Sequence, residues 1–525
     1  MTRTFNIAGP CNSAFHYMVS PEQRLPDLRP RIDQMRYLAV HATQPAGVTT
    51  ALLALARSLT AEGRYAALHF TAETAKVTKD DFGAAEVHIL DAIRTAASQD
   101  LPRELWPPEW PESAPGRRIY NGLSAWATSC PRPLVLVFDE IDALLEESMV
   151  SVLSQLRAGY HRRPRQFPWS VVLCGLRDVR DYKVSSGGDE PRLGSTSPFN
   201  IKVESLRLGD FSEEALRALY AQHTAESGQA FTEDALARSW ALTAGQPWLV
   251  NALAREIVRN MAVPPTEAIT ADHVEAAKER IILARQTHLD SLVARLMEPR
   301  VKRVIEPLLA GDAPPDNPYD DDLRYTRDLG LIAPDFPVRI ANPIYREVIA
   351  RVLAGHADPA ILTDPRTFVR PDGRFDLDRM LSEFAAFWIE HGDVLTSRMP
   401  YHEVAPQLVL MAYLQRVVNG GGHIDREYGV GRGRIDLLVR WPYTAADGKR
   451  AWQREALELK VWADGKADPL AKGLAQLDGY LDRLSLDTGV LVIFDRREAA
   501  AAIDARTRRE TATTPAGRTV TVLRG

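Results

Sequence analysis

The sequence has few cysteines and no pattern among them. Cys11, Cys130 and Cys174 are widely spaced and form no CxxC pair, which argues against a disulfide framework or a zinc knuckle. No apolar run approaches the length of a membrane span, and the opening stretch MTRTFNIAGPCNSAFHYM lacks the apolar core of a secretory signal. The expectation is a cytoplasmic protein. A net basic charge is missing too: 64 Lys and Arg stand against 69 Asp and Glu, a balance of −5, so any nucleic-acid surface has to be local. There is no internal repeat with a period of about 20–50 residues. What is present is an ordinary globular composition, 45% hydrophobic and 25% charged, which excludes disorder or a collagen-like repeat as the main state. At 525 residues the chain is too long for one core and should hold three or four units.

One further absence is local. HATQPAGVTT, residues 41–50, sits where a phosphate-cradling loop of pattern G-x-x-x-x-G-K-[ST] belongs. Ala42 occupies the first glycine place, Gly47 the second and Thr49 the hydroxyl place, with Thr50 after it, but Val48 stands where the lysine should be. The surroundings still suit such a loop. MRYLAVHA before it reads as a short buried strand, and TTALLALARSLTAEG after it as a helix stopped by glycine. A helix start of this kind favours a phosphate even without lysine, through its free amides and dipole. YAALHFTAE (65–73), RPLVLVFDEIDAL (132–144) and WSVVLCGL (169–176) read as further strands. Four strands alternating with helices predict a parallel sheet covered on both faces. Asp139 and Glu140 close the third strand; such a pair suits a site where the Asp holds Mg²⁺ and the Glu polarises the attacking water.

Together with this loop, FNIAGPCNSAFHYMVSPEQRLPDLRPRID, VLVFDEIDAL, VVLCGLRDVRDYK, SPFNIKVESLRLGDFSEEAL and LTAGQPWLVNALAREI resemble the bacterial AAA-like ATPases of the signal-transduction NTPase group, over roughly residues 4–355. The resemblance implies bound ATP with Mg²⁺. Asp139 and Glu140 map onto the metal-binding and water-activating pair, Thr49 onto the Mg²⁺-ligating hydroxyl, and His16 and Tyr17 onto the segment flanking the base. It also allows a homo-oligomer. Valine at 48 removes the charge that a lysine brings to the β- and γ-phosphates, so weakened binding and strongly reduced hydrolysis are expected. Arg177, Arg180 and Lys183 are the basic side chains considered as replacements; as salt-bridged residues of a solvated loop they need no such role.

After the sheet the pattern turns helical. Ser212 and Thr232 are candidate helix caps, GQP at 245–247 separates two helices, and residues 209–290 read as a helical lid. Residues 291–355 have the order of a winged helix. Arg324 and Arg327 on its third helix lie beside Asp321, Asp322 and Asp328, a poor balance for a phosphate-facing surface, so docking a protein partner or spacing is the expected role. Residues 356–376, with three prolines, read as a linker.

The last third reads α-β-β-β-α-β. In RIDLLV, Asp436 alternates with Ile435, Leu437 and Val439; in ALELKVW, Glu458 and Lys460 share one strand face. Charge placed against an apolar core is costly unless it binds something. Two carboxylates on neighbouring strands could hold a divalent cation, with a lysine beside the attacking water, a kit for phosphodiester hydrolysis. GRID before ALELK, followed by a helix with QLDGY, resembles the PD-(D/E)xK nuclease superfamily over roughly residues 377–525. The resemblance implies Asp436, Glu458 and Lys460 as the core, with Gln476 and Tyr480 on the helix facing it. Glu403 would be the added acid and Glu383 a poorer choice for it. It also implies Mg²⁺ or Mn²⁺ as cofactor. The leading PD is ID here. Arg426, Arg432, Arg434, Arg506, Arg508 and Arg509 are candidates for phosphate contacts with DNA, giving affinity without sequence reading; His423 reads as a strand-end surface residue.

The sequence thus predicts an α/β protein: a P-loop parallel sheet (1–208) with helical lid and winged helix, then a linker and a restriction-endonuclease-like α/β domain. The expected function is a Mg²⁺-dependent DNA nuclease controlled by a nucleotide-binding module, in defence against foreign DNA by resemblance. The alternative is a regulatory NTP-binding protein whose nuclease-like domain is a scaffold.

Overall fold

The structure is a computed structural model. It describes the chain apart from residues 1–2, 21–23, 43–46, 176–203, 285–291, 293, 310–313, 355–364, 399–403, 419–421 and 431–432, and apart from the side chains at 42, 146, 354, 365–366, 398, 426–430 and 433–435. The chain divides into two compact units, Met1–Ala284 with Asp328–Gly330, and Arg285–Arg327 with Leu331–Gly525.

Unit 1 is built on a five-stranded, wholly parallel sheet. β1 (Leu38–Ala42), β2 (Ala66–Thr71), β3 (Leu134–Asp139), β4 (Ser170–Gly175) and β5 (Glu204–Leu208) lie in the order β2-β3-β4-β1-β5. The uninterrupted apolar run of β3 follows from burial on both faces. Leu134, Leu136 and Phe138 join one core cluster with Leu68, Phe70 and Leu173, while Val135 and Val137 join a second with Leu38, Val40 and Val172. Among the covering helices, α1 (Leu28–Asp33) and α2 (Val48–Ala61) supply Leu28, Ile32, Leu52 and Leu59 to the second cluster. α3 (Phe82–Asp100), α4 (Arg118–Ser129) and α5 (Glu146–Gly159) serve the first. The sheet has a fifth strand beyond the four expected: β5 pairs with β1 from Leu38↔Glu204 to Ala42↔Leu208.

The helical part follows. α6 (Glu213–Ser227) and α7 (Glu233–Thr243) start where the capping pattern puts them: Ser212 accepts from the Ala215 amide at 3.2 Å and Thr232 from that of Ala235 at 3.4 Å. Gly245, at φ +79°, turns the chain into α8 (Pro247–Arg255), whose cap is Gln246, and its carbonyl accepts from the Phe211 amide at 2.8 Å. α9 (Ala271–Leu283) closes the unit.

Unit 2 begins with α10 (Pro299–Leu309), α11 (Asp321–Asp328, its last residue counted with unit 1), a one-bridge hairpin at Ile332↔Ile340 and α12 (Pro343–Ala354). Arg327 is paired with Asp316 at 2.9 Å, and Arg324 donates to the Pro318 carbonyl at 2.9 Å; both are occupied within the unit. α12 packs on α14 (Ala405–Val418). The region read as a linker folds at its end: Phe368 and Phe375 are fully buried, and Phe375 stacks on Trp441 at 5.4 Å between centroids. Two large aromatics found cover there despite the prolines around them.

α13 (Leu377–Arg398) and α14 precede a six-stranded mixed sheet. β6 (His423–Val430), β7 (Gly433–Thr444), β8 (Arg450–Trp462), β9 (Val490–Asp495), β10 (Arg508–Thr513) and β11 (Thr519–Arg524) lie in the order β10-β11-β9-β8-β7-β6. β6–β7–β8 is an antiparallel meander, β9 is parallel to β8, and β11 is parallel to β9. The terminal hairpin β10–β11 was not expected from sequence. α15 (Leu470–Leu484) covers one face through Leu477, Leu481 and Leu484, against Leu438, Ala456, Leu491 and Ile493. Among the described residues, no helix is long and apolar enough to cross a membrane.

Candidate functional site

In unit 1 the loop leaves β1 and enters α2 at Gly47, whose φ of +75° is left-handed, a conformation glycine adopts without strain. Val48 and Thr49 of the degenerate motif, with Thr50, form the first helical turn. Val48 packs its side chain against the second core cluster, as an apolar residue would and a loop lysine would not. The Thr50 hydroxyl accepts from the Cys11 amide at 2.9 Å, tying the N-terminal strap to this turn.

Asp139 is brought to the same end of the sheet by β3 and is 3% exposed. It is well supplied with donors. His69 Nε2 lies 3.0 Å from Oδ2, and the Glu140 amide donates to Oδ1 at 3.0 Å. Burial alone would push this carboxyl up; hydrogen bonds from His69, Thr49 and Cys174 outweigh it and hold it below the usual carboxylate range. Glu140 adopts a left-handed backbone, φ +54°, and its Oε2 accepts from the Thr71 hydroxyl at 2.8 Å. Burial, with Glu73, Asp139 and Asp142 nearby, raises its carboxyl above the usual range despite Thr71. Thr49, Asp139 and Glu140 are thus gathered, but the two acids are engaged by His69 and Thr71. Sequence reasoning missed His69; its signal was a polar residue within the apolar strand YAALHFTAE.

Tyr17 is 1% exposed and points its hydroxyl to His223 Nδ1 at 3.3 Å and Glu226 Oε2 at 3.2 Å, so the strap is bound to α6. His16 accepts from the Asn12 amide through Nδ1 at 3.0 Å. Arg177, Arg180 and Lys183 lie outside the described residues.

In unit 2 the strand register does what the alternation predicts. Leu437 pairs with Leu457, so the next step of the antiparallel ladder sets Asp436 across from Glu458. Both face α15, on the side of Leu438 and Ala456. Asp436 Oδ2 accepts from the Leu459 amide at 2.7 Å, and Lys460 Nζ is 2.6 Å from Glu458 Oε1. Glu458 is 2% exposed and its Oε2 is buried without a partner. Burial, then Asp436, pushes Glu458 up to about 7 against the pull of Lys460. Burial likewise raises Asp436, opposed by Lys460, the Leu459 amide and Arg346 of α12. For Lys460 burial acts downward, but Glu458 and Asp436 outweigh it and keep it a cation.

Two buried like charges and one unpartnered oxygen make an electron-rich pair short of positive charge, which suits a divalent cation held by Asp436 and Glu458. Among the described residues no third carboxylate, His or Cys joins them, and Glu403 lies outside those residues. Gln476 and Tyr480 stand one turn apart on α15. Gln476 Oε1 is buried without a partner, and Tyr480 is close enough to raise Lys460. Glu383 is on α13, paired with Arg379 at 2.9 Å.

Of the basic residues, Arg506, Arg508 and Arg509 are paired with Asp393, Glu510 and Asp378, which lowers the positive potential they offer. The side chains of Arg426, Arg432 and Arg434 lie outside the described residues. His423 is exposed at the start of β6.

No protein-family model matches the chain, and no curated protein matches its sequence. Among solved structures it is similar to the Walker-type ATPase PABY2304 of Pyrococcus abyssi, at 12% identity over 66% of this chain and 99% of that one, with a TM-score of 0.46. It is also similar to the Holliday junction branch migration motor RuvB of Thermotoga maritima, at 14% identity over 63% of this chain and 98% of that one, TM-score 0.33. Domain III of the Thermotoga maritima replication initiation protein DnaA matches at 13% identity over 52% and 94%, TM-score 0.29.

Proposed function

We propose that the chain is a metal-dependent DNA nuclease of PD-(D/E)xK type, residues 377–525, governed by an AAA-like nucleotide-binding module with a helical lid and a winged helix. The observation that carries the reading is the pairing of Asp436 and Glu458 across β7 and β8, with Lys460 at 2.6 Å and Glu458 Oε2 buried and unpartnered. When bound, Mg²⁺ or Mn²⁺ supplies Lewis-acid polarisation of the phosphodiester and of a water. Asp436 and Glu458 would hold it. Lys460, kept protonated by the two acids, steadies the charge that grows on the phosphate rather than taking a proton. Gln476 offers an amide to orient water or substrate. DNA rather than RNA, and a role in defence, follow the family's habit. A protein partner at the winged helix is part of this proposal, as is self-association.

The nucleotide half is read as a holder of ATP more than a consumer. Val48 brings no charge, Asp139 is held by His69, and Glu140 by Thr71. This favours a second reading, in which the chain is a regulatory NTP-binding protein and the nuclease-like domain a scaffold.

The test is cleavage of plasmid and single-stranded DNA by the full chain with Mg²⁺ or Mn²⁺, with and without ATP, beside Lys460→Ala. Removing a group that stabilises the transition state costs on the order of 10²–10³ in rate. Cleavage that survives equally in Lys460→Ala and Asp436→Asn would remove the nuclease assignment. An effect of either variant on the cellular phenotype would count against the scaffold reading.

A further inference from the structure

β7 and β8 run on as a hairpin past the start of β9, with β6 along one side. The pairing of β8 with β9 begins at Leu457↔Val490, whereas β7 and β8 stay paired out to Thr444↔Arg450. The two faces of this tip differ. One is closed: Trp441 is 5% exposed and stacks on Phe375, and Gln453 both accepts from the Phe375 amide at 2.8 Å and donates to its carbonyl at 3.0 Å. The other face is, by strand alternation, that of Asp436 and Glu458. It carries Arg440, Pro442 and Thr444 of β7 across from Arg454, Trp452 and Arg450 of β8. Arg450, Trp452 and Arg454 are all exposed, Trp452 by 43%.

The charges on the open face do not balance. His423, Arg440 and Arg454 lie side by side across β6, β7 and β8, at strand spacings of about 4.8 Å. Like charges directly opposite one another, as Arg440 and Arg454 are, destabilise a sheet. Asp425 pairs with Arg440 at 2.6 Å. Among the described residues, Arg450 and Arg454 have no carboxylate partner, and Asp447, in the turn, is beside Lys449 at 3.8 Å. Three guanidiniums therefore share one carboxylate, in a chain whose net charge is −5. Trp452 stands among them: Arg450 is 5.2 Å and Arg440 6.0 Å from its ring centre, and the His423 ring is 5.8 Å away. Cation–π contacts at an exposed site are weak, so another flat ring can take the place of a cation. Arg450, Trp452 and Arg454 recur every second residue, about 6.8 Å apart, as cation, ring and cation.

We propose that this tip is an arm that grips single-stranded DNA: an unpaired base stacks on Trp452, and the phosphates to either side are held by Arg450 and Arg454. A ring set between cations suits a single strand, whose bases are free to stack, better than a duplex, whose bases are not. A guanidinium also matches a phosphate through two donors. The arm gives affinity without reading sequence. Arg454 is four residues, about 13 Å, along β8 from Glu458, so a strand has to be several nucleotides long to occupy both. The choice of DNA rests on the nuclease reading; the excess of cations around an exposed ring does not.

Fluorescence anisotropy of a labelled oligothymidylate with the full chain tests it, in EDTA so that binding is read without metal or cleavage, over a series of salt concentrations. The wild type binds. Trp452→Ala weakens binding by about ten-fold with its salt dependence unchanged, and Trp452→Phe keeps most of the affinity. Arg450→Gln combined with Arg454→Gln flattens the slope of log affinity against log salt by about 1.4, at about 0.7 for each phosphate contact. Arg454→Gln relieves the like-charge pair and does not lower the thermal midpoint. A duplex of the same length binds more weakly and is indifferent to Trp452→Ala. Equal affinity and slope in the wild type and the double arginine variant overturn the arm, as does a wild type that binds no strand; if plasmid is still cleaved with Mg²⁺, the nuclease reading stands. A duplex bound as tightly as the single strand, with Trp452→Ala silent, overturns the single-strand assignment, and a preference for RNA of matching sequence overturns the choice of DNA. The expected dependences in a wild type that cleaves nothing support the arm while the nuclease reading falls alone.

Discussion

Gly245 is the position at which the helical part of unit 1 can be tested most sharply. Its φ is +79°, and a Cβ there would lie 2.0 Å from the Phe211 carbonyl oxygen and 2.7 Å from the Trp240 ring. Gly245→Ala therefore carries two costs. The left-handed backbone disfavours any side chain by about 1–2 kcal/mol, and forcing a methyl into packed backbone adds about 1–3 kcal/mol. The sum is about 3 kcal/mol, and for a unit of this size each kcal/mol moves the midpoint by roughly 2–4 °C, so a fall of about 6–12 °C is expected. Gly228 is the control: its φ is +77° and nothing lies within 4 Å of its added Cβ, so Gly228→Ala should carry the backbone cost alone. Differential scanning calorimetry of both variants, following the transition assigned to unit 1, isolates the steric contribution as their difference. Equal shifts for the two would refute the close approach of Gly245 to Phe211, and with it the corner that leads into α8.

Three other outcomes are expected. Mn²⁺ should raise the unfolding midpoint of the wild type, by the equivalent of about 2.7 kcal/mol when free metal is a hundred times its dissociation constant, and should leave Asp436→Asn unmoved; an equal rise in both would place the metal elsewhere. Val48→Lys should raise ATP hydrolysis, read as phosphate release, if charge is all the loop lacks; an unchanged rate would assign the deficit to the engagement of Asp139 by His69 and of Glu140 by Thr71. Asp478 is held below the usual carboxylate range by the Thr514 hydroxyl and, against burial, by Arg518 and the Ala516 amide. A depressed carboxyl contributes stability that is present above its unfolded pKa of about 3.9 and is lost as pH falls through the folded value. Asp478→Asn should therefore lower the urea midpoint at neutral pH and match the wild type at strongly acidic pH; a difference that persists there would mean the side chain acts by shape alone.

The features legible in sequence were those carried by local periodicity. β3 could be read from LVLVFD because both of its faces are buried, and the pairing of Asp436 with Glu458 from alternation on two adjacent strands. The caps Ser212 and Thr232 were legible for the same reason, since the hydrogen bond they make spans three residues. What was missed depends on chain segments that return from far away. His69 meets Asp139 only through the β2–β3 register. β10 was overlooked because its residues, RRETAT, alternate between exposed and half-exposed positions on the sheet edge. The prolines of the presumed linker concealed Phe368 and Phe375, whose burial needs the β-sheet surface beside them.

The placement of β11 has a consequence for the order of synthesis. A ribosome makes the strand bearing Glu458 and Lys460 first, then α15 and β9, and only afterwards the segment that lies alongside β9 from Val490↔Thr521 to Ile493↔Arg524. Until that segment emerges, β9 presents an unpaired backbone edge, and the layer against α15 lacks Val520 and Val522. The acidic pair on β7 and β8 is therefore translated well before the sheet around it can be finished, so a nascent or prematurely stopped chain carries Asp436 and Glu458 in a sheet whose β9 edge is still open.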